Sequence, residues 1–160
     1  MRQIERRRRL TRLAGYLLIP HELLHLVGFR LVGQRCEYQW GQPYVTPIGS
    51  MKRQQDLVGM LFPFLIFFIL VTIFAILAGL ASNQVVREGR FFWFAFWLTL
   101  THVAGIYAGT TIGDLRRAYL LLFNKPWYSW TPFDFCYWPI VDWDEIRTKV
   151  RTGEIDAKQD

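Results

Sequence analysis

The sequence predicts an all-α membrane protein. It has two clear transmembrane helices, an HExxH-bearing membrane-embedded helix, a short interfacial helix and an irregular aromatic C-terminal segment. Three observations predict it. Residues 57–81 (LVGMLFPFLIFFILVTIFAILAGLA) and 91–113 (FFWFAFWLTLTHVAGIYAGTTIG) carry no Asp, Glu, Lys or Arg, and each is long enough to cross a hydrocarbon core about 30 Å thick. A third apolar block at 13–33 (LAGYLLIPHELLHLVGFRLVG) contains His21-Glu22-Leu23-Leu24-His25, and ionisable groups in such a setting are costly and usually functional. Arg2, Arg6, Arg7, Arg8, Arg9 and Arg12 stand just before it.

The 160 residues are one domain's worth of chain. A basic cytoplasmic tail (1–12) precedes one membrane-embedded domain (13–143) and a polar tail (144–160). The residues are 52% hydrophobic, 17% aromatic and only 20% charged; gathered in blocks, they argue for a membrane protein over a soluble core. Much of the net charge of +6 sits in the arginine cluster. A basic run beside an apolar block reads as a cytoplasmic anchor at anionic lipid. No nucleic acid is expected as a partner, since no recognition motif accompanies the run. The expected place is the cell membrane, multi-pass, with the N-terminus cytoplasmic and membrane lipid as a partner. Cys36 and Cys136 lie 100 positions apart and read as free thiols. A cleaved signal peptide is not expected, because Pro20, His21 and Glu22 interrupt the apolar run and no small-residue cleavage site follows.

Taken in order, the first element is the motif helix within 13–33, which Pro20 starts or kinks. Residues four apart share a helical face, so His21 and His25 can grip one metal ion. Glu22 can then reach an activated water as general base. Residues 34–56 form a polar loop with Gly41, Pro43, Pro47 and Gly49; as extended chain it could line the site entrance. In the span 57–81, Pro63 is a tolerated kink. The span 91–113 opens on an interfacial aromatic cluster. Its Gly105, Gly109 and Gly113, at four-residue spacing, form a stripe that another backbone, the motif helix included, can approach closely. Residues 115–124 form the interfacial helix, with Arg116 and Arg117 on its polar side. Residues 126–143 are too rich in aromatics and proline to span; they lie in the headgroup region or fold back over the core. The polar tail is expected to be loose without a partner.

A zinc ion held by such a motif needs a third protein ligand. The candidates are Asp114 and His102, with Asp56 and Glu37 behind them. Asp114 could equally be the N-cap of the interfacial helix, and His102 a polar contact between helices. Depth separates the two. If 13–33 crosses fully, His21 and Asp114 end about 10–15 Å apart and His102 is the better ligand. If 13–33 dips in and returns, Asp114 lands near the motif; this version leaves only Arg87 and Arg90 outside, which suits the positive-inside rule.

HELLH, then Met51-Lys52-Arg53, then Leu61-Phe62-Pro63 in a span, then Gly113-Asp114 at the end of another, resemble the zincin peptidase family of small bacterial integral membrane proteins. That family is similar to the site-2 protease type of intramembrane zinc metalloprotease. The resemblance covers roughly residues 15–140. It implies a zinc ion as cofactor, His21, His25 and Asp114 as ligands, and Glu22 as catalytic base. Gly113-Asp114-Leu115 departs from the site-2 proteases in lacking their Asn/Pro-containing context.

The function this supports is a membrane zinc metallopeptidase acting on a membrane-protein substrate. The alternative is a non-catalytic subunit of a larger membrane complex that retains a zincin scaffold, suggested by the small size and the aromatic C-terminal segment. A third possibility, haem held by His25 and His102 from facing helices, has only the two histidines to support it.

Overall fold

The structure, a computed structural model, describes residues 16–39, 44–136 and 142–156. Its helices are α1 (Ile19–Leu31), α2 (Arg53–Glu88), α3 (Phe92–Thr110), α4 (Ile112–Leu122) and α5 (Trp143–Arg151). A 3-10 turn at Asp134–Cys136 precedes α5. Between α1 and α2, β1 (Cys36–Glu37) pairs antiparallel with β2 (Thr46–Pro47), setting Cys36 opposite Pro47 and Glu37 opposite Thr46.

Each helix starts and stops for a local reason. Pro20 occupies the first turn of α1, where a missing N–H leaves no bond unmade. Gly33, with φ of 77°, turns the chain out of the helix, and the Gln34 N–H donates back to the Phe29 carbonyl at 2.9 Å. α2 is longer than its apolar stretch because polar residues extend it at both ends; at 36 residues it reaches about 54 Å. Thr111 separates α3 from α4. It is fully buried, and its hydroxyl donates to the Ala108 carbonyl at 2.7 Å, a bond that competes with the helical ladder.

α2 is the central element. Phe74 stacks on Trp97 and Phe67 on Tyr107, with centroids 6.0 and 5.2 Å apart, so α3 runs antiparallel to it. α4 continues along α2: Arg117 pairs with Asp56 at 3.0 Å, and Arg53 donates to the carbonyls of Leu121 and Leu122. α1 also lies antiparallel to α2, with the Gln55 amide donating to the Val32 carbonyl at 3.0 Å. α1 therefore runs parallel to α3 and α4. Its thirteen residues cover about 20 Å, short of a full span, and it starts part-way along the bundle: the Tyr107 hydroxyl donates to the Leu17 carbonyl at 2.9 Å. This lengthwise offset brings the motif level with the end of α3. How residues 1–12 reach α1 lies outside the described residues.

Two glycines set the distance between α1 and α2. A Cβ on Gly28 would meet the Phe62 Cβ at 2.7 Å, and one on Gly59 would meet the Phe29 ring at 2.1 Å. Expectation and structure differ here. Gly105 and Gly109 have nothing within 4 Å of a built Cβ, so this part of the glycine stripe hosts no neighbouring helix. Periodicity marked the stripe, whereas the close approach uses single glycines on two different helices.

The C-terminal region is also more ordered than its polarity suggests. Residues 143–151 form α5 because Asp142 caps it, accepting from the N–H groups of Asp144 and Glu145 at 3.1 and 3.0 Å. A buried carboxylate ties this region to α4. Asp134 accepts from Arg116 Nε and Thr131 Oγ1, at 2.8 and 2.7 Å, and from Arg147. Arg116 also donates to the carbonyls of Trp127 and Ser129 and lies 3.7 Å from the Trp143 ring centroid.

Burial opposes ionisation of Asp134, yet hydrogen bonds from Arg116 and Thr131 hold its carboxyl below the usual carboxylate range. A folded-state value below the unfolded one means stability that is complete above the ordinary Asp value of about 4 and is lost as pH falls through the folded value. Protection of Trp127–Ser129 amides from hydrogen exchange should therefore weaken in acid below about pH 4. Asp134→Ala should cost about 3 kcal/mol at neutral pH, because Arg116 and Arg147 lose their common acceptor. It should also flatten that acid dependence.

Candidate metal centre

His21, Glu22 and His25 occupy the first half of α1 and are 5%, 4% and 6% exposed. Asp114 comes from the first turn of α4, whose N-cap is Thr111. Asp114 is therefore not the cap, and its carboxylate is left to turn toward α1. The Nε2 atoms of His21 and His25 lie 2.9 Å apart, and Asp114 Oδ2 lies 3.1 and 3.2 Å from them. Ligand atoms of a tetrahedral zinc stand about 3.3 Å from one another, so the triangle is close to one face of such a site.

The hydrogen bonds behind the rings decide what the triangle presents. His25 Nδ1 lies 2.8 Å from the Gly59 carbonyl, which can only accept, so Nδ1 carries the proton. His21 Nδ1 lies 3.0 Å from Thr110 Oγ1, whose own proton is donated to the Tyr107 carbonyl at 2.7 Å. His21 Nδ1 is therefore a donor too. In the neutral rings both Nε2 atoms turn a lone pair to the same point as the carboxylate oxygen. Three facing acceptors repel one another unless a cation lies among them, and two imidazoles with a carboxylate suit zinc. The backing bonds to Gly59 and Thr110 are the outer-shell contacts that orient such ligands.

Glu22 faces a cavity of about 440 Å³ that His21, His25 and Asp114 also line. The Val45 backbone lines that cavity with it. The second half of the polar 34–56 loop thus forms one wall, with Tyr44 and Val45, and Arg117 stands at another.

Other sequence candidates lie elsewhere. His102 is exposed on α3 and donates from Nδ1 to the Leu98 carbonyl of its own helix at 2.7 Å; it joins neither the triangle nor His25. Glu37 is exposed on β1. Asp56 pairs with Arg117. Sequence reasoning passed over Gly59 and Thr110. A carbonyl acceptor leaves no trace in residue type, but a threonine four residues before a candidate ligand was a visible signal.

Residues 15–128 match the model of a family described as "Putative zincin peptidase". No curated protein and no solved structure matches the chain.

Proposed function

The chain belongs to the "Putative zincin peptidase" family, and from that premise we propose an integral membrane zinc metallopeptidase that hydrolyses a membrane-embedded or juxtamembrane peptide bond. His21, His25 and Asp114 are its zinc ligands and Glu22 its catalytic base. The observation that carries this reading is the pair of histidines fixed by Gly59 and Thr110 so that both Nε2 lone pairs meet the Asp114 carboxylate. Zinc, when bound, supplies Lewis acidity that polarises a carbonyl and brings the pKa of water toward neutrality. Glu22, which lines the same cavity, takes a proton at its carboxylate and returns it to the leaving amine.

The membrane setting rests on α2 and α3, both long and apolar enough to cross a bilayer. Only 17% and 6% of their most apolar windows are buried within the protein, whereas the core helix of a soluble protein would be mostly covered. The site lies near the Asp56 end of α2. Arg30, Arg35, Lys52, Arg53, Arg117 and Lys125 cluster toward that end, with Arg87 and Arg90 at the other. The positive-inside rule then turns the site toward the cytoplasm. This is the setting in which the similarity to site-2 proteases applies.

The test is zinc content of the detergent-purified protein. About one zinc per chain is expected, lost in Asp114→Ala and kept in His102→Ala. A folded wild type that takes up no zinc would remove the reading. A second reading, an accessory subunit of a larger membrane complex, draws on the exposed Trp130 and Phe135, which present aromatic surface to a partner.

A further inference from the structure

Resting on the peptidase reading, we propose that Arg117 is a specificity-determining residue that binds a carboxylate of the substrate, so that the site takes peptides bearing a negative charge beside the bond to be cut. Arg117 lies three residues after Asp114 on α4, on the same face, and lines the same cavity as Glu22 and both histidines. Its side chain is 56% exposed, and among the described residues its contact is a single one, from Nη2 to Asp56 Oδ2 at 3.0 Å. Asp56 is 6% exposed and fixed in the first turn of α2.

The form of that contact carries the inference. Arginines that neutralise a buried carboxylate frequently meet it with two parallel bonds. Here Asp56 Oδ1 is buried with no hydrogen-bond partner while one corner of the guanidinium serves Oδ2. Asp56 holds the fork by one corner, and among the described residues Nε and Nη1 have no hydrogen-bond acceptor while the side chain lines the cavity. A planar fork with two free donors is the matching partner of a carboxylate. Asp56 is a positioning residue; Arg117 is the group that touches substrate.

The probes are peptide hydroxamates, which bind zinc through the hydroxamate. Three versions, each in one- and two-residue lengths, differ in one feature: a free C-terminal carboxylate, its carboxamide, or the carboxamide with an aspartate side chain. Dissociation constants are measured by calorimetry on the zinc-loaded full chain in detergent. One of the two carboxylate forms should bind roughly tenfold tighter than the plain carboxamide, and which one does tells a terminal carboxylate from an acidic side chain. Arg117→Gln should erase that preference and leave carboxamide binding in place. Should burying Asp56 alone unfold that variant, Asp56→Asn with Arg117→Gln removes both charges and should behave alike. Arg117→Lys, which keeps charge without the fork, should retain only part of the preference. Equal binding of all three probes by the wild type, or a preference that survives loss of Arg117, overturns the inference. A chain that binds no zinc, or zinc-loaded chain that binds no hydroxamate, overturns the peptidase reading and this inference with it.

Discussion

Glu22→Gln is expected to leave about one zinc per chain bound and to slow peptide hydrolysis by ~100-fold or more. Glutamine keeps the length of the side chain and its polar character, but it cannot take a proton. The three proposed zinc ligands are untouched, so zinc content and thermal stability of the variant should follow the wild type. The measurement is hydrolysis of a membrane-anchored peptide library by the two proteins, with zinc assayed on the same samples. This substitution also separates the two readings of the chain. A cellular effect that survives Glu22→Gln but not His21→Ala would assign the protein to assembly, with zinc in a structural place.

Gly59→Ala is expected to damage the proposed centre without altering any of its proposed ligands. The added Cβ would stand 2.1 Å from the Phe29 ring, a rigid group on α1 with no flexible end to swing away. Overpacking of this kind costs about 1–3 kcal/mol. The consequence reaches further, because the Gly59 carbonyl fixes the tautomer of His25. Separating α1 from α2 loosens that bond, and loss of such an outer-shell contact lowers metal affinity about 10–100-fold. Competition against a chromophoric chelator would measure it. Gly105→Ala is the control: nothing lies within 4 Å of its Cβ, so zinc affinity should not move. Equal effects at the two positions would mean that helix propensity, not the approach of α1 to α2, governs the site.

These expectations mark where the sequence could be read and where it could not. The apolar runs of α2 and α3 were visible because an uncharged stretch of that length has few other uses. Their ends were not: Arg53–Asp56 is polar and Asn83–Glu88 mostly so, yet both are helical, since propensity, not hydropathy, carries a helix past an apolar region. His21, Glu22 and His25 stood out through spacing. Asp114 needed the resemblance, because spacing alone allowed an N-cap. The cap proved to be Thr111, three positions earlier, where the chain bends between α3 and α4. The glycine stripe misled for a related reason. Periodic small residues permit a close approach, but whether a helix arrives depends on tertiary placement. In the C-terminal region, aromatic density hid the buried Asp134, whose partners Arg116 and Arg147 lie 18 and 13 positions away in sequence.

Arg116 and Asp114 stand two residues apart on one helix, and this gives the centre an order of completion. The ribosome makes α1, α2, α3 and α4 first, so His21, His25 and Asp114 all exist once α4 is complete. At that moment Arg116 has none of its acceptors, which come from Trp127, Ser129 and Asp134. A nascent chain thus carries Asp114 on a helix that rests on α2 but lacks the partners of Arg116. The region that follows α4 ties that helix down from behind, so its support is complete only once Asp134 has been made.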